Sequence, residues 1–387
     1  MDKNKINASI FLSSMLVALT PSAASAMSAY TVTPIQLPDS SELTVFSAAI
    51  NNSNVVVVWA GSSNGSTFQS SYTWQTGSTQ EVSTSVGIYT TSYAINDSGN
   101  VVGTKYNTAN GDSQGYIWNS NQGFVYPSVL GTDSSIIFGI NNQNQAVGVV
   151  ENTINSAFVW DQTTGATILP SFGTGDSQAK AINDSGQIVG TSGNSLFTAY
   201  PIDLNSSIGL EHAVLWQNGT VVDLTPNTAW SKAEDINNIG QVVGYRMRTV
   251  SNGDGVSPNF LLTPFIWDSV HGEVDLPLAG DQSTAVAIND IGEIVGHSGS
   301  GDADARALLW ENGVVYDLNT FLDPNSGWLL QYATDINNAG EIVGTGIYDG
   351  QSSAFVLTPS GVSFVPEPAL FGVLMLGLFP LRRHRRG

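Results

Sequence analysis

The chain has 387 residues, with 32 acidic against 12 basic side chains, a net charge of −20 and no cysteine. The missing thiols exclude disulfides, thiolate metal sites and cysteine nucleophiles. The acidic balance argues against nucleic acid or an anionic lipid surface as a partner, because like charges repel.

Met1 to Ala26 has the build of a secretory signal peptide. Lys3 and Lys5 open it, an apolar run from Ile10 to Leu19 follows, and Ala24-Ser25-Ala26 supplies small residues for cleavage by signal peptidase. The mature chain is expected to begin near Met27.

Residues 27–364 read as a repeat. One word, as in Ala181-Ile182-Asn183-Asp184-Ser185-Gly186-Gln187-Ile188-Val189-Gly190, occurs seven times, with its first Asn at Asn51, Asn96, Asn141, Asn183, Asn237, Asn289 and Asn337. The intervals are 45, 45, 42, 54, 52 and 48 residues, within the range of propeller blades. A second word ends in Trp at Trp74, Trp118, Trp160, Trp216, Trp267 and Trp310, and its seventh copy ends in Leu357. A Gly-containing turn and a third apolar word follow, as in Gly219-Thr220-Val221-Val222-Asp223-Leu224.

These words translate into strands. Asn-Asp-Ser-Gly is a turn, since Asn and Asp bond their own downstream amides and Gly adopts positive φ freely, so it joins two antiparallel strands. The Trp word is a third strand and the last word a fourth. Four short antiparallel strands repeated seven times predict an all-β, seven-bladed β-propeller; an open β-solenoid is the alternative. Tyr30 to Pro38 resembles a fourth strand, whereas the last unit carries only a brief Gly361 to Phe364. The amino-terminal strand is therefore expected to close the ring by joining the last blade.

The recurrent Trp residues are expected to pack between blades, because each repeat must bury its face against the next. Trp59, Trp230 and Trp328 fall outside the pattern; a structural role is the first reading for them too, and they are the better candidates for exposed, ligand-facing aromatics. The Asp97, Asp184 and Asp290 turns offer too few oxygens for Ca²⁺, which wants six to eight. Gly253-Asp254-Gly255 and Gly299 to Asp304 are looser loops where a carboxylate pair could hold the ion, and no other cofactor is implied. His212, His271, His297 and His384 show no ligand spacing. Catalytic residues should break the repeat, and no carboxylate is read as doing so. The sequence thus carries no enzyme signature, although a carboxylate pair of a glycosidase stays open.

At the far end, Val365-Pro366-Glu367-Pro368 precedes a short apolar segment, 369–381, and then Arg382, Arg383, His384, Arg385 and Arg386. An apolar stretch before a basic cluster reads as a short transmembrane or sorting tail. Residues 365–387 resemble the PEP-CTERM sorting signal of Gram-negative bacteria, with Pro366, Glu367 and Pro368 matching its tripeptide. That resemblance implies recognition by an exosortase, transient inner-membrane anchoring, and delivery to the outer surface or extracellular matrix in a setting of exopolysaccharide and biofilm.

The body is similar to extracellular HAF-repeat proteins, through Ala157-Phe158-Val159-Trp160 and His212-Ala213-Val214-Leu215-Trp216. The expected function is a non-catalytic binding or structural propeller at the cell surface, with polysaccharide or a surface protein as partner. The alternative is a secreted carbohydrate-active hydrolase or lyase with carboxylates in its central channel.

Overall fold

The structure is a computed structural model, described here for residues 30–37, 43–62, 69–75, 78–82, 88–107, 113–128, 134–173, 175–193, 211–228, 230–250, 259–299 and 301–360. Within them lie seven four-stranded antiparallel sheets, the blades of a β-propeller. Blades 1 to 6 span 43–81, 88–125, 135–168, 177–223, 231–275 and 283–317; blade 7 combines 328–359 with Tyr30–Ile35. The amino-terminal strand pairs antiparallel with Gln351–Pro359, from Tyr30↔Pro359 to Ile35↔Ala354, so it closes the ring as its sequence suggests.

Each blade's first strand is innermost and ends at the Asn word. In the turn Asn183 Oδ1 accepts from the Ser185 and Gln187 amides at 3.1 and 3.0 Å. Gly186 sits at φ +75°, and in the two blades without this Gly the position is taken by Asn54 and Asn144 at φ 60° and 63°. Asn is the residue best able to replace Gly there.

A second glycine serves the close approach of strands. A Cβ on Gly190 would lie 2.0 Å from the Gln178 carbonyl oxygen, and Gly103, Gly148, Gly244, Gly296 and Gly344 meet the same obstacle. Beside this glycine each inner strand of blades 2 to 7 carries a β-bulge, at Tyr93, Phe138, Lys180, Glu234, Val286 and Thr334. Blade 1 has Val58 at the glycine position, and its bulge moves to Phe46. The glycine therefore decides which side chain the bulge redirects.

Hydrophobic clusters sit between blades. Val189 and Leu215 of blade 4, for example, join Ala233, Val242 and Phe265 of blade 5. Trp216 and Trp310, each only 2 % exposed, donate Nε1–H to the Pro170 and Pro277 carbonyls of the preceding blade at 2.7 Å. Trp74, Trp118, Trp160 and Trp267 occupy the same register position, opposite Val56, Val101, Ala146 and Val242, and Leu357 fills it in blade 7, opposite Ile342. The recurrent Trp is a packing residue.

The signal peptide, the sorting motif Pro366-Glu367-Pro368 and the basic cluster Arg382, Arg383, Arg385 and Arg386 lie outside the described residues, as does segment 369–381. The expectation of a transmembrane segment and a transient inner-membrane anchor is corrected: among the described residues no helix is long and apolar enough to cross a membrane. Length gives the physical reason, because thirteen helical residues rise only about 20 Å against a hydrocarbon core of about 30 Å.

Candidate functional site

The blades surround a channel whose two ends differ. At one end the Asn words of all seven blades converge. Asn51 Nδ2 donates to Asn96 O at 2.9 Å, Asn96 to Asn141 O at 3.0 Å, Asn141 to Asn183 O at 3.1 Å and Asn183 to Asn237 O at 3.0 Å. Asn237 reaches Asn289 O at 3.0 Å, Asn289 reaches Asn337 O at 3.1 Å, and Asn337 returns to Asn51 O at 3.3 Å.

The next residue of each word forms a second ring. Each of Asn52, Asp97, Asn142, Asp184, Asn238, Asp290 and Asn338 gives its backbone N–H to the side-chain Oδ1 of its neighbour, at 2.8–2.9 Å. Asn and Asp alternate round this ring except where Asn338 meets Asn52, so carboxylates are never adjacent and each accepts from a flanking amide, as Asp97 Oδ2 does from Asn52 and Asn142. The turn residues are therefore a molecular clasp whose polar groups are spent on one another.

Above the clasp the channel encloses a cavity of ≈ 280 Å³. One side chain per blade reaches it from three residues before the first Asn of the word: Ala48, Tyr93, Phe138, Lys180, Glu234, Val286 and Thr334. Here the repeat breaks. Tyr93 and Phe138 are 5.1 Å apart between ring centroids, the Lys180 ammonium lies 4.7 Å from the Phe138 centroid, and Lys180 Nζ is 3.8 Å from Glu234 Oε2. The Tyr245 hydroxyl lies beside Glu234, and burial together with that carboxylate pushes its pKa up. Aromatic and charged groups thus share one wall.

Two of the off-pattern tryptophans stand toward the end opposite the clasp. Trp230 immediately precedes the inner strand Ser231–Ile236, and Trp328 opens the strand Trp328–Ile336. Trp230 lies 5.8 Å from Tyr245, with Lys232 Nζ 5.5 Å from its indole, and Trp328 stacks on Tyr348 at 4.7 Å. Trp59, on the second strand of blade 1, stacks on the exposed Phe46 at 4.5 Å.

Two aspartates also break the repeat. Asp235 and Asp335 stand where other blades have Ala49, Ala94, Gly139, Ala181 and Ala287, and both line the cavity. Burial pushes Asp335 up to about 7 and Asp235 to about 6, against the pull of two backbone N–H donors on each; Glu234 and Asp290 add to the rise at Asp235, and Asp235 to that at Asp335. Sequence reading misses them because each passes for the opening letter of the Asn word. The signal is a carboxylate where five blades keep Ala or Gly.

A folded pKa above the unfolded one gives stability that is complete below the unfolded value, near 3.8, and lost as pH rises through 6 to 7. Asp335→Asn sets an NH2 group against one of those two N–H donors, so it is expected to destabilise near pH 4, where the Asp335 carboxyl is neutral, and to gain on the parent protein by on the order of 2 kcal/mol between pH 4 and pH 8. Parallel thermal melts check this, and an equal shift at both pH values would contradict it.

The histidines serve local contacts. His212 Nδ1 lies 3.0 Å from Asp223, His271 pairs with Asp268 at the surface, and His297 packs against Tyr332 and Thr284, with burial pushing its pKa down to about 4. His384 and the Gly253–Gly255 loop lie outside the described residues. In the other Ca²⁺ candidate, Asp304 accepts from Gly301 N and Asp302 from the Tyr332 hydroxyl. Among the described residues no three His, Asp or Glu side chains gather where they could hold a metal ion.

No protein-family model and no curated protein matches the chain. Solved structures do. The β-propeller domain of the trilobed protease from Pyrococcus furiosus, described as having an open velcro topology, covers 87 % of this chain and all of its own at TM-score 0.56 and 10 % identity. Virginiamycin B lyase from Staphylococcus aureus covers 84 % of this chain and 99 % of its own at TM-score 0.50 and 9 % identity. At that identity the likeness is one of fold.

Proposed function

We propose that the chain works outside the cell as a propeller that receives the end of a glycan in its central channel. One observation carries this reading: the side chains that depart from the repeat, Tyr93, Phe138, Lys180, Glu234 and Trp230, gather on the channel wall and the end opposite the clasp. Aromatic faces pack against the C–H faces of sugars while charged and hydroxyl groups take sugar hydroxyls, the mixture expected of a small-ligand site. The signal-peptide and sorting-tail resemblances support an exported protein in an exopolysaccharide setting.

Cleavage of the bound glycan is the second reading, that of a carbohydrate-active hydrolase or lyase. It is favoured by Asp335 and Asp235, whose raised pKa values fall where a general acid must hold its proton near neutrality. Both solved structures of like fold also carry enzyme names, a protease's propeller domain and a lyase.

A glycan array on the full chain, followed by intrinsic fluorescence titration of each hit, tests the first reading. Trp230→Ala is expected to weaken binding about tenfold, in line with about 1.4 kcal/mol for an aromatic contact. An array without hits would sink it. Release of reducing ends or of unsaturated sugars from a bound glycan, abolished in Asp335→Asn, would establish cleavage.

A further inference from the structure

An inner strand of a propeller is the edge of its sheet, so alternate residues turn their N–H groups away from their own blade and into the channel. The residue before each Asn word's first Asn has this orientation, because the Asn itself pairs within the blade. Asn96 N–H bonds Asn100 O, and Asn183 N–H bonds Gln187 O, both at 3.0 Å. The preceding residue is Ile in all seven blades.

Four of these Ile amides are held by carboxylates of the chain itself. Asp335 accepts from Ile336 N and, across the seam to blade 1, from Ile50 N, both at 2.8 Å. Asp235 accepts from Ile236 N at 2.8 Å and from Ile288 N of blade 6 at 2.9 Å. The remaining three, Ile95, Ile140 and Ile182, belong to consecutive blades 2, 3 and 4, where the aspartate position holds Ala94, Gly139 and Ala181.

Outside the strand ladder, from which their position before the Asn turns them away, no bond from these three amides to a protein acceptor is present among the described residues. They are also the only ones of the seven Ile residues that line the described cavity, with 8–9 % exposure against 5–6 % for the other four. An uncapped amide in a confined wall is costly unless water or a ligand takes it.

We propose that the Ile95, Ile140 and Ile182 amides, with the Lys180 ammonium beside them, form a carboxylate-binding site in the floor of the channel. Asp235 and Asp335 show the chemistry, since in each one carboxylate spans the equivalent amides of two consecutive blades. Blades 2 to 4 offer the same donors without the side chain. Among the described residues Lys180 is the single cation lining the cavity, and Tyr93 and Phe138 wall the space for the rest of the ligand. A cavity of ≈ 280 Å³ takes a unit the size of one sugar, so the carboxylate enters end-on.

The inference rests on the channel being the ligand site and narrows the ligand to one bearing a carboxylate. Its source is either an acidic sugar at a glycan end or a free small carboxylic acid.

The test is a titration of the full chain, labelled with ¹⁵N-isoleucine, with acetate, glucuronate and glucose near pH 6. Acetate and glucuronate are expected to move the Ile95, Ile140 and Ile182 amide signals and leave Ile50 and Ile288 in place, while glucose moves none. Glucuronate binding tenfold or more tighter than acetate assigns the acidic sugar; equal affinities assign the free acid. Ala94→Asp gives blade 2 the side chain that blades 5 and 7 already carry there, and should weaken acetate binding at least tenfold with an unchanged melt. Should that variant misfold, Lys180→Met must weaken acetate binding several-fold.

Three Ile signals that stay fixed under both carboxylates overturn the proposal, as does full affinity in folded Ala94→Asp. A neutral glycan that changes Trp230 fluorescence without moving these amides overturns it while leaving the glycan reading intact. Acetate shifts with no glycan hit do the reverse.

Discussion

Deleting residues 30–36 is expected to lower the melting temperature by roughly 10 °C and to produce aggregates on warming, through loss of about 5 kcal/mol. The strand Tyr30–Ile35 supplies the fourth strand of blade 7 and two wedges at the seam. Ile35, with Leu37 just beyond it, is buried against Val45, Val56 and Val58 of blade 1, and Tyr30 and Val32 pack on the cluster of Phe321, Phe355 and Leu357. Backbone pairing alone would be nearly offset by the entropy of ordering six residues. The net loss comes from the seam and from the exposed edge of Gln351–Pro359, which becomes a template for other chains. A synthetic peptide covering residues 28–38 should restore the melt when added in excess, because it adds the missing strand in trans. Ile35→Ala should cost about 3 kcal/mol by itself. Unchanged melting and a monomeric deletion variant would show that the ring does not depend on this closure.

Much of this was legible in the sequence, for a reason particular to repeats. Blade number, strand order, the Trp position and the closing strand all follow from words that recur, and recurrence multiplies a weak local signal sevenfold. Alignment of the words alone sets Leu357 at the other blades' Trp position, and the register with Ile342 bears it out. The site was less legible because it consists of the letters the repeat leaves free. Tyr93, Phe138, Lys180 and Glu234 differ in type and share only an offset from the Asn word; their common direction is made by a bulge that depends on a glycine in the next strand. Asp235 and Asp335 are visible as departures, yet only the ring geometry places them against amides of the next blade. The buried Ser at the start of several inner strands escapes sequence reading altogether. Ser177 and Ser231 accept the Ala157 and Ala213 amides of the preceding blade at 2.9 and 2.8 Å, a tie that no local pattern announces.

The clasp makes the other large prediction, and its two rings answer differently to the same chemical change. Asn183 is 3 % exposed; its Nδ2 gives hydrogen bonds to Asn237 O and Gln187 Oε1, at 3.0 and 2.8 Å, while its Oδ1 receives two amides. Asn183→Asp keeps both accepted bonds and the shape, but replaces two donors by a carboxylate oxygen facing two other oxygens. The cost should be about 3–5 kcal/mol at neutral pH, smaller near pH 4 as the new carboxyl takes up a proton and can donate again. In the second ring the reverse exchange should be mild. Asp184→Asn leaves an acceptor for the Asn142 amide, and adjacent Asn side chains already occur where Asn338 meets Asn52, because seven positions cannot alternate perfectly. Its cost should stay below about 1 kcal/mol. Asn238→Asp, by contrast, would set three carboxylates side by side between Asp184 and Asp290 and should destabilise by about 2 kcal/mol, with the loss shrinking in high salt. Urea unfolding of the three variants at two ionic strengths measures all of this. Equal costs for Asn183→Asp and Asp184→Asn would mean that burial alone, and not the direction of the hydrogen bonds, holds the clasp together.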